Sequence, residues 1–127
     1  MRPHHSLFLS FLLLLTSCGG GGGSSAPPVP PPVCTAPCAV TVNWTANREA
    51  GVNNVGGGYR LYYASTPNVA LGLATLVTVP YDPLSGLTPT MAALQLTAGT
   101  WYVRVAAYSA INAGGSAPSA ELAVAVP

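Results

Sequence analysis

Charge is scarce in this chain. Its 127 residues hold four Lys+Arg and three Asp+Glu, 6% of the total. Setting Arg2 aside leaves Arg48, Arg60 and Arg104 against Glu49, Asp82 and Glu121, a balance of zero. Three scattered arginines do not supply the basic field that phosphate backbones require, so no nucleic-acid partner is expected. The same neutrality leaves little repulsion to oppose close association with a neighbour. Histidine is scarcer still: only His4 and His5 occur, both before the first cysteine, Cys18. No Ser-His or Cys-His nucleophile can be built without them. Glu49 and Asp82 could meet as a carboxylate pair only through folding, and their surroundings read as solvated surface, so no enzyme is expected. Cysteine is limited to Cys18, Cys34 and Cys38, too few ligands for a zinc site. No apolar run reaches the roughly 20 residues of a spanning helix. An Arg-Gly-Asp tripeptide is also missing.

What is present begins with a short N-terminal stretch carrying Arg2, an apolar core from Leu7 to Leu15, and small residues at Thr16 and Ser17. This is the tripartite pattern of an export signal. Leu15-Thr16-Ser17-Cys18 resembles the lipobox of bacterial lipoproteins. The resemblance implies cleavage before Cys18, diacylglycerol on its thiol, and often a further acyl chain on the new amino group. A secretory signal with an incidental cysteine is the plainer alternative. One acyl chain anchors only marginally, so the two or three chains implied at Cys18 would hold the protein durably on a membrane. In the lipoprotein family, Gly19 rather than aspartate after the cysteine implies the outer membrane of a two-membrane cell envelope.

Residues 1–17 are therefore expected to be the signal peptide and residues 18–33 a tether. Gly19 to Gly23 with Ser24 and Ser25 has the composition of flexible coil, whereas Pro27, Pro28, Pro30, Pro31 and Pro32 favour a stiffer polyproline II rod. Extended at about 3.1 Å per residue, Gly19 to Val33 would reach roughly 45 Å. A proline-rich ligand for an aromatic groove is the alternative reading of the same residues. Cys34 and Cys38, in a chain that leaves the reducing cytosol, are expected to form a local disulfide around Pro37. Its short loop contributes roughly 2 kcal/mol in the chain-entropy model. It reads as a staple on a turn, with a redox switch as the alternative.

From Ala39 the apolar period is two, and Gly, Pro and Asn clusters supply the breaks. Strands are expected over Val40–Trp44, Tyr59–Ala64, Thr75–Val79, Thr90–Leu96, Thr100–Tyr108 and Glu121–Val126. A proline-interrupted edge near Val29–Cys34 brings the total to about seven. No convincing helix appears, and a two-sheet sandwich over residues 34–127 is the expected solution.

Val40-Thr41-Val42-Asn43-Trp44, Gly58-Tyr59-Arg60-Leu61-Tyr62-Tyr63, the run from Leu96-Thr97-Ala98-Gly99-Thr100 to Tyr108, and Gly114-Gly115-Ser116-Ala117-Pro118-Ser119 together resemble a fibronectin type III domain. The resemblance implies an immunoglobulin-like β-sandwich and a role as spacer, adhesive module or accessory part. Ala98 stands where the family has proline. Counting by twos from Val105 turns Val103 and Trp101 inward and Tyr102 outward, so an indole is expected where the family places a tyrosine hydroxyl. Whether the corner hydrogen bond survives is left open by the sequence.

For this fold, binding is expected on the loops between strands two and three and between strands six and seven: Ala46–Gly57, with Asn47, Arg48, Asn53 and Asn54, and Ser109–Ser116, with Ile111 and Asn112. Plain polar loops without a ligand are the alternative. Tyr62, Tyr81, Tyr102 and Tyr108 are candidates for stacking on sugar rings, and a contiguous exposed apolar patch would favour a structural subunit of a surface assembly. The reading is a lipid-anchored envelope protein with a non-enzymatic interaction or structural module, a covalent lipid at Cys18 as its one non-protein group, and an unidentified protein or glycan partner.

Overall fold

Alternation of β-branched and aromatic residues with small or polar ones drives every regular element of the domain. A computed structural model describes residue 34 and residues 37–127. The expected signal peptide, Cys18, the tether and most of the Val29–Cys34 edge lie outside the described residues. Six strands follow in chain order: β1 (Cys38–Asn43), β2 (Gly58–Ala64), β3 (Thr75–Pro80), β4 (Met91–Leu96), β5 (Gly99–Tyr108) and β6 (Leu122–Val126). The sequence expected no helix, and the structure adds a single 3₁₀ turn at Leu71–Leu73, too short to alter the all-β class.

The strands form two antiparallel sheets, one of β1 and β4 and one in the order β3-β2-β5-β6. Cys38 lies opposite Leu96 and Asn43 opposite Met91 in the first sheet. In the second, Gly58 lies opposite both Pro80 and Tyr108, and Gly99 opposite Val126. The inward face of each strand supplies the core: Val42 and Trp44 near β1, Leu94 and Leu96 from β4, Tyr59 and Leu61 from β2, Val103, Val105 and Ala107 from β5, Val124 and Val126 from β6. Leu61 is 0% exposed, and its outward neighbours Arg60 and Tyr62 are only half-buried, which is the parity a two-layer sandwich demands.

The Cys34–Cys38 disulfide is formed, with its α-carbons 5.7 Å apart. It is more than a staple on a turn. Cys38 is buried within the core and Cys34 packs against it, so the bridge seals the end of the sandwich where β1 begins.

Trp101 faces inward, as parity requires, and its ring meets Tyr63 at a centroid distance of 5.8 Å. Its Nε1–H donates to the Thr97 carbonyl at 2.9 Å, closing the β4–β5 corner. The side-chain hydrogen bond at this corner is thus made by an indole. Trp101→Phe should lower stability by about 1 kcal/mol or more, since the hydrogen bond goes and the smaller ring gives up part of the Tyr63 contact. Tyr102→Phe serves as the contrast, and a urea midpoint equal for both variants would remove the indole's assigned role.

Candidate functional site

Because Gly58 begins β2 at the same level where β3 and β5 end, three loops meet at one pole of the sandwich. They are residues 44–57, 81–90 and 109–121. A methyl group on Gly56 would stand 3.0 Å from the Ala110 Cβ, and one on Gly51 would stand 3.1 Å from the Ser109 Cβ, so the first and third loops are in contact. The first and second are joined by the buried Thr88, whose hydroxyl donates to the Val52 carbonyl at 2.9 Å. Val52 itself plugs the core from inside the loop.

The first loop is held from within by Asn47. This residue is only 5% exposed. Its backbone N–H donates to the Tyr59 hydroxyl, its Oδ1 accepts from the Glu49 N–H at 2.8 Å, and its carbonyl accepts from Asn53 Nδ2 at 2.7 Å. Asn47 and Asn53, expected from the sequence to face a partner, are therefore engaged in the loop's own scaffold. Asn54 is exposed but accepts locally, from the Val55 N–H at 2.7 Å. Arg48 stands in solvent. Ile111 and Asn112 belong to a tight turn in which Ser109 and Asn112 exchange backbone hydrogen bonds of 3.2 and 3.1 Å. That turn leaves Ile111 at its apex, 97% exposed.

Ile111 has company that the sequence reading missed. Leu84 is also 97% exposed, and Val55, Leu87 and Met91 are exposed beside the same three loops. Leu84 rides a turn closed by the Asp82 N–H to the Leu87 carbonyl, 3.0 Å, and by the Gly86 N–H to the Asp82 carbonyl, 2.9 Å. A signal for it did exist in the sequence. Tyr81-Asp82-Pro83-Leu84-Ser85-Gly86 was legible as a turn, and a leucine inside a turn has no strand face on which to be buried. The Asp82 carboxylate accepts from the Leu84 N–H at 2.9 Å. That bond, with Ser85 adding to it, holds the Asp82 pKa below the ordinary carboxylate range. The carboxylate is thus held in its ionised form on the same turn that exposes Leu84.

A second surface lies on the outward face of the four-stranded sheet. Register places Tyr62 opposite Arg104 and Arg60 opposite Ala106, with Tyr102 and Tyr108 on the same face of β5. The Arg60 guanidinium covers the Tyr108 ring, 4.7 Å from its centroid. Arg104 pairs with Glu121 at 3.2 Å and donates to the Val69 carbonyl, and Glu121 accepts from the Asn68 N–H at 3.0 Å. Three of the four tyrosines considered for sugar stacking share this face, all half-buried, whereas Tyr81 belongs to the loop pole.

Among the described residues no group of three or more His, Cys, Asp or Glu could hold a metal ion, and no helix is long and apolar enough to cross a membrane. The chain matches no known family model and no curated protein sequence.

Proposed function

We propose that this protein is a lipid-anchored module of the bacterial cell envelope, most consistent with the outer membrane, in which residues 34–127 form a fibronectin type III domain that makes non-enzymatic contacts through its loop pole. One observation carries the reading: of the seven large apolar side chains exposed among the described residues, Val55, Leu84, Leu87 and Ile111 lie on the three loops of this pole and Met91 begins β4 beside them, whereas Leu73 and Leu76 lie elsewhere. Scattered exposed leucines are ordinary on a protein surface, but a group gathered at one pole marks an interaction surface. The division into a β1–β4 layer and a β3-β2-β5-β6 layer, with the Trp101 corner, supports the fibronectin type III assignment.

The anchor has its own test. Cys18→Ser should block processing or release the domain from membranes, and unchanged retention in washed envelopes would overturn the lipid assignment.

A second reading, a carbohydrate-binding module, rests on Tyr62 and Tyr102, since Arg60 covers the Tyr108 ring on the same half-buried face. Stacking on a sugar ring uses the flat apolar face of tyrosine and is lost with the ring. Tyr62→Ser should then reduce retention on immobilised glycans about tenfold, taking stacking at ~1.4 kcal/mol. Equal retention of both proteins would remove the glycan reading and leave the loop pole untouched.

A further inference from the structure

We infer that the open edge of β3 is a strand-addition site, taken by a second copy of this chain that pairs antiparallel to it about a twofold axis at Val77. The surface is separate from the loop pole and stands whether or not the pole binds.

β3 ends the four-stranded sheet, so among the described residues only β2 is paired with it. The Tyr81 N–H donates to the Gly57 carbonyl at 2.9 Å, one step beyond the Gly58–Pro80 pair, and this fixes the parity of the ladder. Bonds to β2 therefore fall at Thr75, Val77 and Val79, opposite Tyr63, Leu61 and Tyr59. Leu76 and Thr78 turn their N–H and C=O groups to the open side, and among the described residues no other group bonds to them. That row is bounded at both ends. Pro80 has no N–H to offer, and the Ala74 N–H already donates to the Ala70 and Leu71 carbonyls at 3.2 and 3.3 Å.

A row of this kind is complementary to itself when the strand is turned round. With Val77 on the axis, Leu76 faces Thr78 of the second copy and Thr78 faces its Leu76, so each outward N–H meets an outward C=O. A shifted partner would run onto Pro80 or Ala74 and leave its own groups unpaired. Charge permits the same pairing. From Leu61 to Tyr81 the chain has no charged residue. Sheet edges are commonly guarded by a lysine or another charge, which would repel its own image across a twofold axis, and β3 lacks that guard. Arg60, opposite Thr78 on β2, is turned to the Tyr108 ring of β5, away from the open side.

The two exposed leucines that lie apart from the pole gather at this edge. Leu76 is on β3 itself, 48% exposed, and Leu73 is on the 3₁₀ turn that leads into it, 83% exposed. On the inner face Val77 packs against the core yet is only half-buried, whereas Val79 is buried. The second copy would set its Val77 against this one on the inner face and its Leu76 diagonally beside this Leu76 on the outer face. Apolar area is then covered on both faces of the joined sheet. The other strands that end a sheet do not combine an open row with exposed leucines. β6 exposes Ala123 and Ala125, β1 exposes Ala39 and Thr41, and the large exposed side chain of β4, Met91, lies at the loop pole.

The test is sedimentation equilibrium of the chain from residue 18 with Cys18→Ser, taken up to about 1 mM because an edge contact of this size should be weak. We expect a monomer–dimer equilibrium. Leu76→Lys sets like charges diagonally across the axis and should weaken the dimer about tenfold or more, as should Leu76→Glu. An equimolar mixture of these two variants should recover association, since lysine then meets glutamate. Thr78→Pro removes an N–H that β2 does not use, so the fold should survive while the dimer is lost. Near-ultraviolet circular dichroism checks the fold of each variant. A parent that stays monomeric, a mixture no better associated than its components, or a dimer indifferent to Thr78→Pro overturns the inference. Open-ended larger species overturn it as well, because a twofold pair closes on itself. Leu84→Asp, at the pole, should leave the equilibrium unchanged, and dispersal by that variant would move the contact to the pole and overturn the edge.

Discussion

Gly57→Ala is expected to cost the domain about 3 kcal/mol or more, a large share of the 5–15 kcal/mol that holds a typical domain folded. A methyl group at this position would lie 2.1 Å from the Gly51 carbonyl oxygen and 2.6 Å from that of Val52. Both are backbone atoms, so no rotamer change can make room. Gly57 is also fixed from two sides: its N–H donates to the Asn54 carbonyl at 2.8 Å, and its carbonyl accepts from the Tyr81 N–H at 2.9 Å. Relief requires the first loop to part from itself or the second loop to lift. Either movement separates Val52 from the core and disturbs the pole. Gly72→Ala is the control, because nothing lies within 4 Å of its added methyl. Its urea midpoint should stay within about 1 kcal/mol of the parent, on the stabilising side if it shifts. Comparable losses for the two variants would mean that the close packing at Gly57 does not limit stability.

Local chemistry made the strands legible. Tyr59, Leu61 and Tyr63 against Arg60, Tyr62 and Ala64 gave the parity of β2, and the structure turns Tyr59 and Leu61 fully inward. Trp101 shows the same rule acting where family likeness left the outcome open. The loops were legible only as loops. Thr45–Gly57 has turn composition, but the burial of Asn47 depends on Tyr59, and that of Val52 on the core and Thr88, contacts made by residues distant in sequence. An asparagine in such a stretch reads as a solvent-facing group, because nothing nearby reveals a hydroxyl waiting beneath it. The pole's aliphatic tips were hidden for a related reason. Val55, Leu84 and Ile111 belong to three different turns, and only the sheet register brings those turns to one end.

Tyr59→Phe and Tyr59→Ala should separate the two jobs of the residue on which the pole stands. Its ring is buried among both sheets and meets Trp44 edge-on, centroids 5.3 Å apart at 66°. Its hydroxyl accepts the Asn47 N–H, and Asn47 in turn organises Glu49 and Asn53. Phenylalanine keeps the ring and leaves a buried donor without its acceptor, a loss of about 1–3 kcal/mol. Alanine adds the cavity and the lost aromatic contact, for roughly 3–5 kcal/mol in all. Phe should also speed hydrogen exchange at Asn47 and Glu49 while sparing β5, because the loop is released before the sheet is. Alkaline titration supplies a separate measurement. Burial pushes the Tyr59 pKa up, against a smaller lowering from the Asn47 N–H. A raised folded-state pKa contributes stability that is complete below the unfolded value of about 10 and is lost as pH climbs through the folded value. The parent should therefore weaken on the alkaline side as tyrosinate absorbance appears, and Tyr59→Phe should have a flatter alkaline limb. Identical alkaline profiles, with unchanged exchange at Asn47, would show that this hydroxyl neither senses the core nor holds the loop.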